Sequence, residues 1–335
     1  MDHWSRRQVV QGVGVAGLGL LAGCGRWLGQ PREPARVPRL GWLTGQSEDN
    51  RNFEAFQAGL REYGHVPGEN ISIEVRSVEG TDADGLRATF AAWVRLPVDI
   101  IVVGSGLPAA RAAKEATDTI PIILSIGADV VEAGMVASLG RPGGNVTGLT
   151  AISQQLSAKR LELLAQAVPG VARVGVLWNT TSLGKAREWQ ETAAAAQGLG
   201  IRVQGLEVRG AEDFESAFAA ALQERAEALV VLHDGVTGAA RLRILDFAAR
   251  TYLPAMYEFR DWTEAGGLMN YAPNRAAMAR RAAYYVDRIL KGARPADLPV
   301  EQPREFEFVI NLQTAQTLGL TIPPHVLFQA TEAIQ

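Results

Sequence analysis

A repeat of about 130 residues constrains this chain more than any other feature. Apolar, β-branched runs of four to seven residues alternate with longer stretches of helical period, which is the pattern of parallel βαβ units. Val37–Leu43, Ile71–Val75 and Val98–Val103 read as strands. Between them lie a helix carrying Phe53, Phe56, Leu60 and Tyr63, closed by Gly64, and a helix over Leu86–Arg95. The order then recurs, with strands Val174–Trp178, Ile201–Val203 and Ala228–Leu232 and helices Ala186–Leu199 and Asp213–Arg225. Gly175 stands 134 residues after Gly41, Ile201 stands 130 after Ile71, and Val230 stands 128 after Val102. Pro121 and Pro254 keep the correspondence, as do Gly143-Gly144 and Gly266-Gly267.

Parallel strands need helical crossovers on both sheet faces, so the repeat predicts an α/β fold of two doubly wound, Rossmann-like parallel-sheet lobes with about five strands each. The chain crosses between lobes near Gly148–Ile152, ahead of a helix over Ser157–Ala167, and again at Tyr271–Asn274, ahead of a helix over Ala276–Leu290. Lobe 1 is then 38–149 with 272–297, and lobe 2 is 150–271 with 298–335, the latter closed by a strand Phe306–Ile310 and a helix near Thr314–Leu318. Two lobes joined by several short crossings can rotate as rigid bodies and trap a ligand in the cleft between them.

The N-terminal residues carry an address and no part of the fold. Arg6 and Arg7 precede an apolar run from Val9 to Ala22 and then Leu21-Ala22-Gly23-Cys24. A run of about 14 residues is too short for a spanning helix of roughly 20, so residues 1–23 read as an export signal and Cys24 as the lipid attachment site. Leu-Ala-Gly-Cys resembles the lipobox of bacterial lipoproteins, and Ser5-Arg6-Arg7 resembles the twin-arginine signal, although Val9-Val10-Gln11 departs from it. Residues 24–37 read as a tether. Gly12-Val13-Gly14-Val15-Ala16-Gly17 has the form G-x-G-x-x-G, but no strand precedes it, so it is not a dinucleotide site. The expected location is the extracytoplasmic side, bound to the membrane by lipid.

Composition removes several classes of function. Cys24 is the only cysteine, which excludes an internal disulfide and a Cys-based metal site. The four histidines, His3, His65, His233 and His325, lack metal-ligand spacing, and neither a Walker loop nor G-x-S-x-G occurs. A His233/Asp234/Ser105 hydrolase arrangement is conceivable across the cleft, but adjacent His and Asp in one turn point differently. Net charge is −3 with acids and bases interspersed, so nothing marks a nucleic-acid surface. These features predict no cofactor, metal or catalysis, and they leave a small molecule or another protein as the expected partner.

Several segments resemble the ABC-transporter substrate-binding proteins of the tryptophan/tyrosine-type group. They are Phe56-Gln57-Ala58-Gly59-Leu60-Arg61-Glu62, Thr119-Ile120-Pro121-Ile122, Arg141-Pro142-Gly143-Gly144-Asn145-Val146-Thr147-Gly148, Lys159-Arg160-Leu161-Glu162-Leu163-Leu164, Ala265-Gly266-Gly267-Leu268-Met269, and the closing segments Ala296–Pro303 and Val309–Pro323. The resemblance implies the type I periplasmic-binding fold and delivery of a small molecule, amino-acid-like or carboxylate-bearing, to a membrane permease. A sensory receptor of the same fold is the alternative. The sequence departs from many relatives at Asn179-Thr180-Thr181, where they carry Asn-Pro.

In open α/β sheets ligands sit beyond the carboxyl ends of the strands. That rule selects Thr44, Gln46, Ser105, Leu107, Pro108, Ser125, Asp129 and Thr150 from lobe 1, and Asn179, Thr180, Ser182, Asp234, Tyr257 and Tyr271 from lobe 2. Ser105 opens a helix, where backbone N–H groups suit a carboxylate, or else it is an ordinary cap. Asp234 reads as a partner for a ligand amine or as a turn or cap residue. Tyr257 could stack on a ring or donate its hydroxyl. Phe53 reads as an aromatic wall or as core. Asp129 and Glu132 read as an acidic edge or as helix-start carboxylates. Trp42 and Trp178 end matching strands and read as packing beneath the cleft.

Overall fold

The structure is a computed structural model and describes residues 36–45, 50–77, 83–127 and 130–335. Cys24, Gln46 and Asp129 lie outside the described residues. In the first sheet β1 (Arg39–Thr44), β2 (Ser72–Ser77), β3 (Ile100–Gly104), β4 (Ile122–Gly127) and β5 (Val146–Thr150) run parallel in the order β2-β1-β3-β4-β5. Side chains alternate along each strand, and both faces are covered. Leu43, Ile101, Val103 and Leu124 pack under α2 (Ala83–Arg95) and α3 (Leu107–Ala116), while Leu40, Trp42, Ile100, Val102 and Ile123 face the other side with α1 (Asn50–Glu62). Burial on both faces is why β1, β3 and β4 read as apolar runs, while the edge strand β2 is half-buried to exposed and carries charged residues.

The second half repeats this order. After α4 (Ser153–Ala167) come β6 (Arg173–Asn179), α5 (Leu183–Leu199), β7 (Arg202–Val208), α6 (Phe214–Gln223), β8 (Ala228–Val231), α7 (Gly235–Ala239), α8 (Arg241–Arg250), β9 (Ala255–Tyr257), α9 (Arg260–Glu264) and β10 (Met269–Pro273). The strands line up as β7-β6-β8-β9-β10, matching β2-β1-β3-β4-β5. The chain then forms α10 (Arg275–Leu290), whose Met278, Ala279, Ala282, Ala283 and Val286 pack with Phe56 and Leu60 of α1 on the first sheet. Gly59 permits this approach, since a Cβ there would stand 2.5 Å from the Arg280 carbonyl oxygen.

The second sheet departs from the expected five parallel strands. Among the described residues it has seven, because the expected closing strand, β11 (Phe306–Asn311), adds antiparallel to β10 and a further strand, β12 (Glu332–Ile334), adds parallel to β11. Helices α11 (Leu312–Thr317) and α12 (Pro324–Gln329) lie between them. With three mostly exposed residues, β12 has no apolar run to announce it. The segment Leu298–Glu301, assigned to lobe 2 by the repeat, runs along β5 instead. Thr147 Oγ1 donates to the Leu298 carbonyl (2.7 Å), Glu301 N to the Gly148 carbonyl (2.9 Å) and Thr150 N to the Glu301 carbonyl (3.0 Å). A third crossing therefore follows Glu301 and runs beside the second, where Asn274 N donates to the Glu305 carbonyl.

The motif Arg141–Gly148 builds this junction. Asn145 Nδ2 donates to the carbonyls of Thr117 (3.0 Å) and Ile120 (2.9 Å). Gly148 has φ +120°, and a Cβ there would stand 2.2 Å from the Leu124 carbonyl oxygen, so only glycine fits.

Candidate functional site

In both sheets the strand order reverses at the same place while the strands stay parallel, between β1 and β3 in the first and between β6 and β8 in the second. Crevices open beyond the carboxyl ends of strands at such switch points. In the first lobe this brings together Thr44 and Gly45 from β1 with Ser105 from β3. A Cβ on Gly45 would stand 3.8 Å from Ser105 Cβ and 3.9 Å from Arg275 Nη2, so the glycine keeps this corner open. Ser105 is buried and, among the described residues, its hydroxyl has no hydrogen-bond partner. It does not cap α3, whose N-cap is Gly106 with no side-chain bond, followed by Leu107 and Pro108. The first amides of a helix lack intrahelical acceptors and carry partial positive charge, so the corner pairs free donors with a hydroxyl of its own.

Ser125 is buried and bonds the Val103 carbonyl at 3.4 Å, and Thr150 bonds the Ala151 carbonyl at 3.3 Å. Phe53 leans on Trp42, with ring centroids 5.6 Å apart, and Trp42 stacks on Phe56 at 4.5 Å, so this trio joins the core.

In lobe 2 the switch point brings Asn179 to Asp234, with Nδ2 to Oδ2 at 2.6 Å. Asn179 Oδ1 accepts from the Thr181 amide and hydroxyl, and Thr180 N donates to the Val208 carbonyl. Ser182 caps α5 and Asp234 caps α7. Asp234 Oδ1 accepts from Val236 N and Thr237 N, while Thr237 Oγ1 accepts from Asp234 N, a reciprocal capping box. One Asp234 oxygen is thus committed to the cap and the other faces Asn179.

Tyr257 lies inside and Tyr271 is half-buried. Tyr257 is 1% exposed, its ring is stacked on Trp262, and burial pushes its hydroxyl well above the ordinary range. Tyr271 stacks on Phe306 and meets Phe308 edge-on. The His233 ring is boxed by Phe259 (4.8 Å) and Trp262 (5.9 Å), and burial lowers its pKa to about 4, so it is neutral at pH 7. Its aromatic box and the capping duty of Asp234 leave no His–Asp pair for a hydrolase.

Beneath this lobe-2 rim lies an ionic cluster that strand-end reasoning missed. Arg160 of α4 is 0% exposed, donates Nε to the Tyr271 carbonyl (2.9 Å), and places Nη1 3.6 Å from Glu188 and 3.8 Å from Glu258. Lys185 Nζ meets Glu188 at 2.6 Å and Glu258 at 3.0 Å, and Glu258 also accepts from His233 N at 3.0 Å. Glu258 therefore ties together the α5 turn, the β8 loop and, through Arg160, the β10 crossing. Burial pushes the Glu258 carboxyl up, but Lys185 and Arg160 outweigh it and hold it far below the usual range. Burial followed by repulsion from Glu258 raises Glu188 to about 7. The available signal was Arg160, a charge inside the apolar stripe Leu156, Leu161, Leu163 and Leu164.

Among the described residues no helix is long and apolar enough to cross a membrane, and no group of three or more His, Cys, Asp or Glu could hold a metal. Comparison with known proteins agrees with the geometry. Residues 44–334 match the family model described as ABC transporter substrate binding protein. The chain is 25% identical over 318 residues to the tyrosine-binding protein of Clostridioides difficile (strain R20291), covering 92% of this chain and 90% of that one. It superposes on an ABC domain from Streptococcus pneumoniae in complex with L-Trp with TM-score 0.78 and 26% identity, covering 89% and 99% of the two chains. The ligand-free, open form of a substrate-binding protein with adhesive properties from Clostridium difficile gives TM-score 0.70 at 22% identity, with the same coverage of 89% and 99%, a likeness of fold. With two lobes of one strand order, a switch point in each and a family match over residues 44–334, the chain belongs to the ABC transporter substrate-binding proteins.

Proposed function

We propose that this protein captures an amino acid outside the cytoplasm, closes its two lobes on it and delivers it to the membrane permease of an ABC importer. The observation that carries the ligand class is the Ser105 corner, where a buried hydroxyl without a partner stands beside the uncapped start of α3. That combination suits a carboxylate, with charge-assisted bonds from backbone amides and the serine. Across the cleft, the Asp234 oxygen facing Asn179 suits the ligand's ammonium group. Relatives that bind tyrosine or carry L-Trp make aromatic amino acids the first to test. The protein works as a lipid-anchored monomer held through Cys24, and it catalyses no reaction.

Thermal unfolding against amino acids, other carboxylates, nucleosides and sugars tests this reading. An amino acid at 100 times its Kd adds about 2.7 kcal/mol of stability, and Ser105→Ala reduces that gain. Stabilisation by sugars or nucleosides alone, or an amino-acid effect indifferent to Ser105→Ala, would refute the assignment. Acylation of Cys24, absent in Cys24→Ala, checks the anchor.

A further inference from the structure

Side chains outside the strand-end corners bridge the two lobes. On one side, Arg51 in the first turn of α1 donates Nη2 to Glu264 Oε1 at the end of α9, at 2.9 Å. On the other, Glu132 of the segment after β4 pairs with Arg187 of α5. The polarity is reversed between the two sides. The first lobe offers a cation at one edge and an anion at the other, and the second lobe offers the complement.

Glu264 is held ready for this contact. Arg260 is gripped by both Glu332 oxygens, at 2.5 and 2.9 Å, and donates Nε to Glu264 Oε1 at 2.7 Å. Burial pushes the Glu264 carboxyl up, but Arg260 and Arg51 outweigh it and hold it below its usual range. Between the edges, the Arg275 guanidinium of α10 lies 4.9 Å over the Phe259 ring of the second lobe. The lobes therefore touch through side chains away from the crossings as well as at the crossings themselves.

We propose that Arg51–Glu264 and Glu132–Arg187 are two opposed latches, made when the lobes close and broken when they open, which position the closed form and set how long a ligand stays trapped. Each pair joins elements of different sheets, so rotation about the crossings separates both. The side chains of Arg51 and Glu264 are 58% and 37% exposed and those of Arg187 and Glu132 are 52% and 35%, so each contact is individually weak and screened by salt. Weak, reversible contacts suit a receptor that must open again. The reversed polarity also makes the faces complementary in one register, because a twist that offers either charge its like is repelled.

The test follows closure directly. Single-molecule energy transfer between labels on α2 and α6 of the full-length protein gives the ratio of closed to open molecules, with L-tryptophan absent and present. Arg187→Glu and Arg51→Ala each lower that ratio about two- to fivefold, the order expected for exposed pairs, and 500 mM salt has a similar effect. The exchange R187E/E132R restores it, and L-tryptophan, if bound, dissociates faster from the single variants by the same factor. A ratio unmoved by the single variants and by salt, or not restored by the exchange, overturns the latches. This inference rests on the binding-protein reading but not on the amino acid. Failure of L-tryptophan to bind counts against the ligand class, while the closure ratio still judges the latches.

Discussion

Glu188 and His233 share one buried cluster and answer acid in opposite senses. Glu188 has its pKa raised from 4.5 to about 7, so the folded state binds a proton that the unfolded state does not, and stability is gained as pH falls through 7. His233 is lowered from 6.5 to about 4, so the unfolded state binds the proton first, and stability is lost as pH falls from 6.5 towards 4. The two effects nearly cancel between pH 7 and 5. Glu188→Gln removes the compensating gain, and the variant should lose about 2 kcal/mol from pH 7 to pH 5 while the parent stays nearly flat. Urea unfolding at the two pH values decides this, and equal pH dependence in both proteins would contradict it. At Gly148 the demand is conformational. Its φ of +120° and the Leu124 backbone leave no room for a methyl group, so Gly148→Ala should cost about 3 kcal/mol in the same assay.

Helix α7 separates two roles of one residue at the scale of the element. Asp234 caps it through Oδ1 and faces Asn179 through Oδ2. Asp234→Asn keeps a capping oxygen and should cost less than about 1 kcal/mol of stability, yet it removes the negative charge offered to a ligand ammonium. Amino-acid affinity measured beside stability should therefore fall in Asp234→Asn, and unchanged affinity would leave Asp234 as a cap alone. The repeated βαβ units, and with them the strand ends beside the switch points, were legible in the sequence because burial on both sheet faces turns strands into apolar runs, and because Gly41/Gly175 and Pro121/Pro254 repeat in register. Strand β12 was not legible, since it is held at the sheet edge by pairing with β11 and buries little. Tyr257 misled because a strand end shows where a backbone stops and not where its ring turns, here beneath Trp262. Arg160 and Lys185 were missed because their partners Glu188 and Glu258 are separated from each other by 70 residues.

The two lobes should differ in their tolerance of acid, because the second carries four mutually paired ionisable groups, Arg160, Lys185, Glu188 and Glu258, beneath its rim. Glu258 has its folded pKa depressed, so its stabilising contribution is present above 4.5 and lost as pH falls below that value. His233 begins to protonate within the fold near the same pH. Uncompensated charge inside such a network costs about 3–5 kcal/mol. In the first lobe the sheet is flanked by apolar clusters, and the buried carboxylate on α10, Asp287, pairs with Lys291, which reaches solvent. Hydrogen exchange at pH 4, corrected for the intrinsic rate and compared with pH 7, should show amides of β6, β8 and β9 losing protection before those of β1, β3 and β4. The three crossings decide whether this difference stays local. Simultaneous loss in both sheets would mean that the hinge couples the lobes into one cooperative unit, and sequential loss would mean that each lobe stands on its own core while the crossings serve motion.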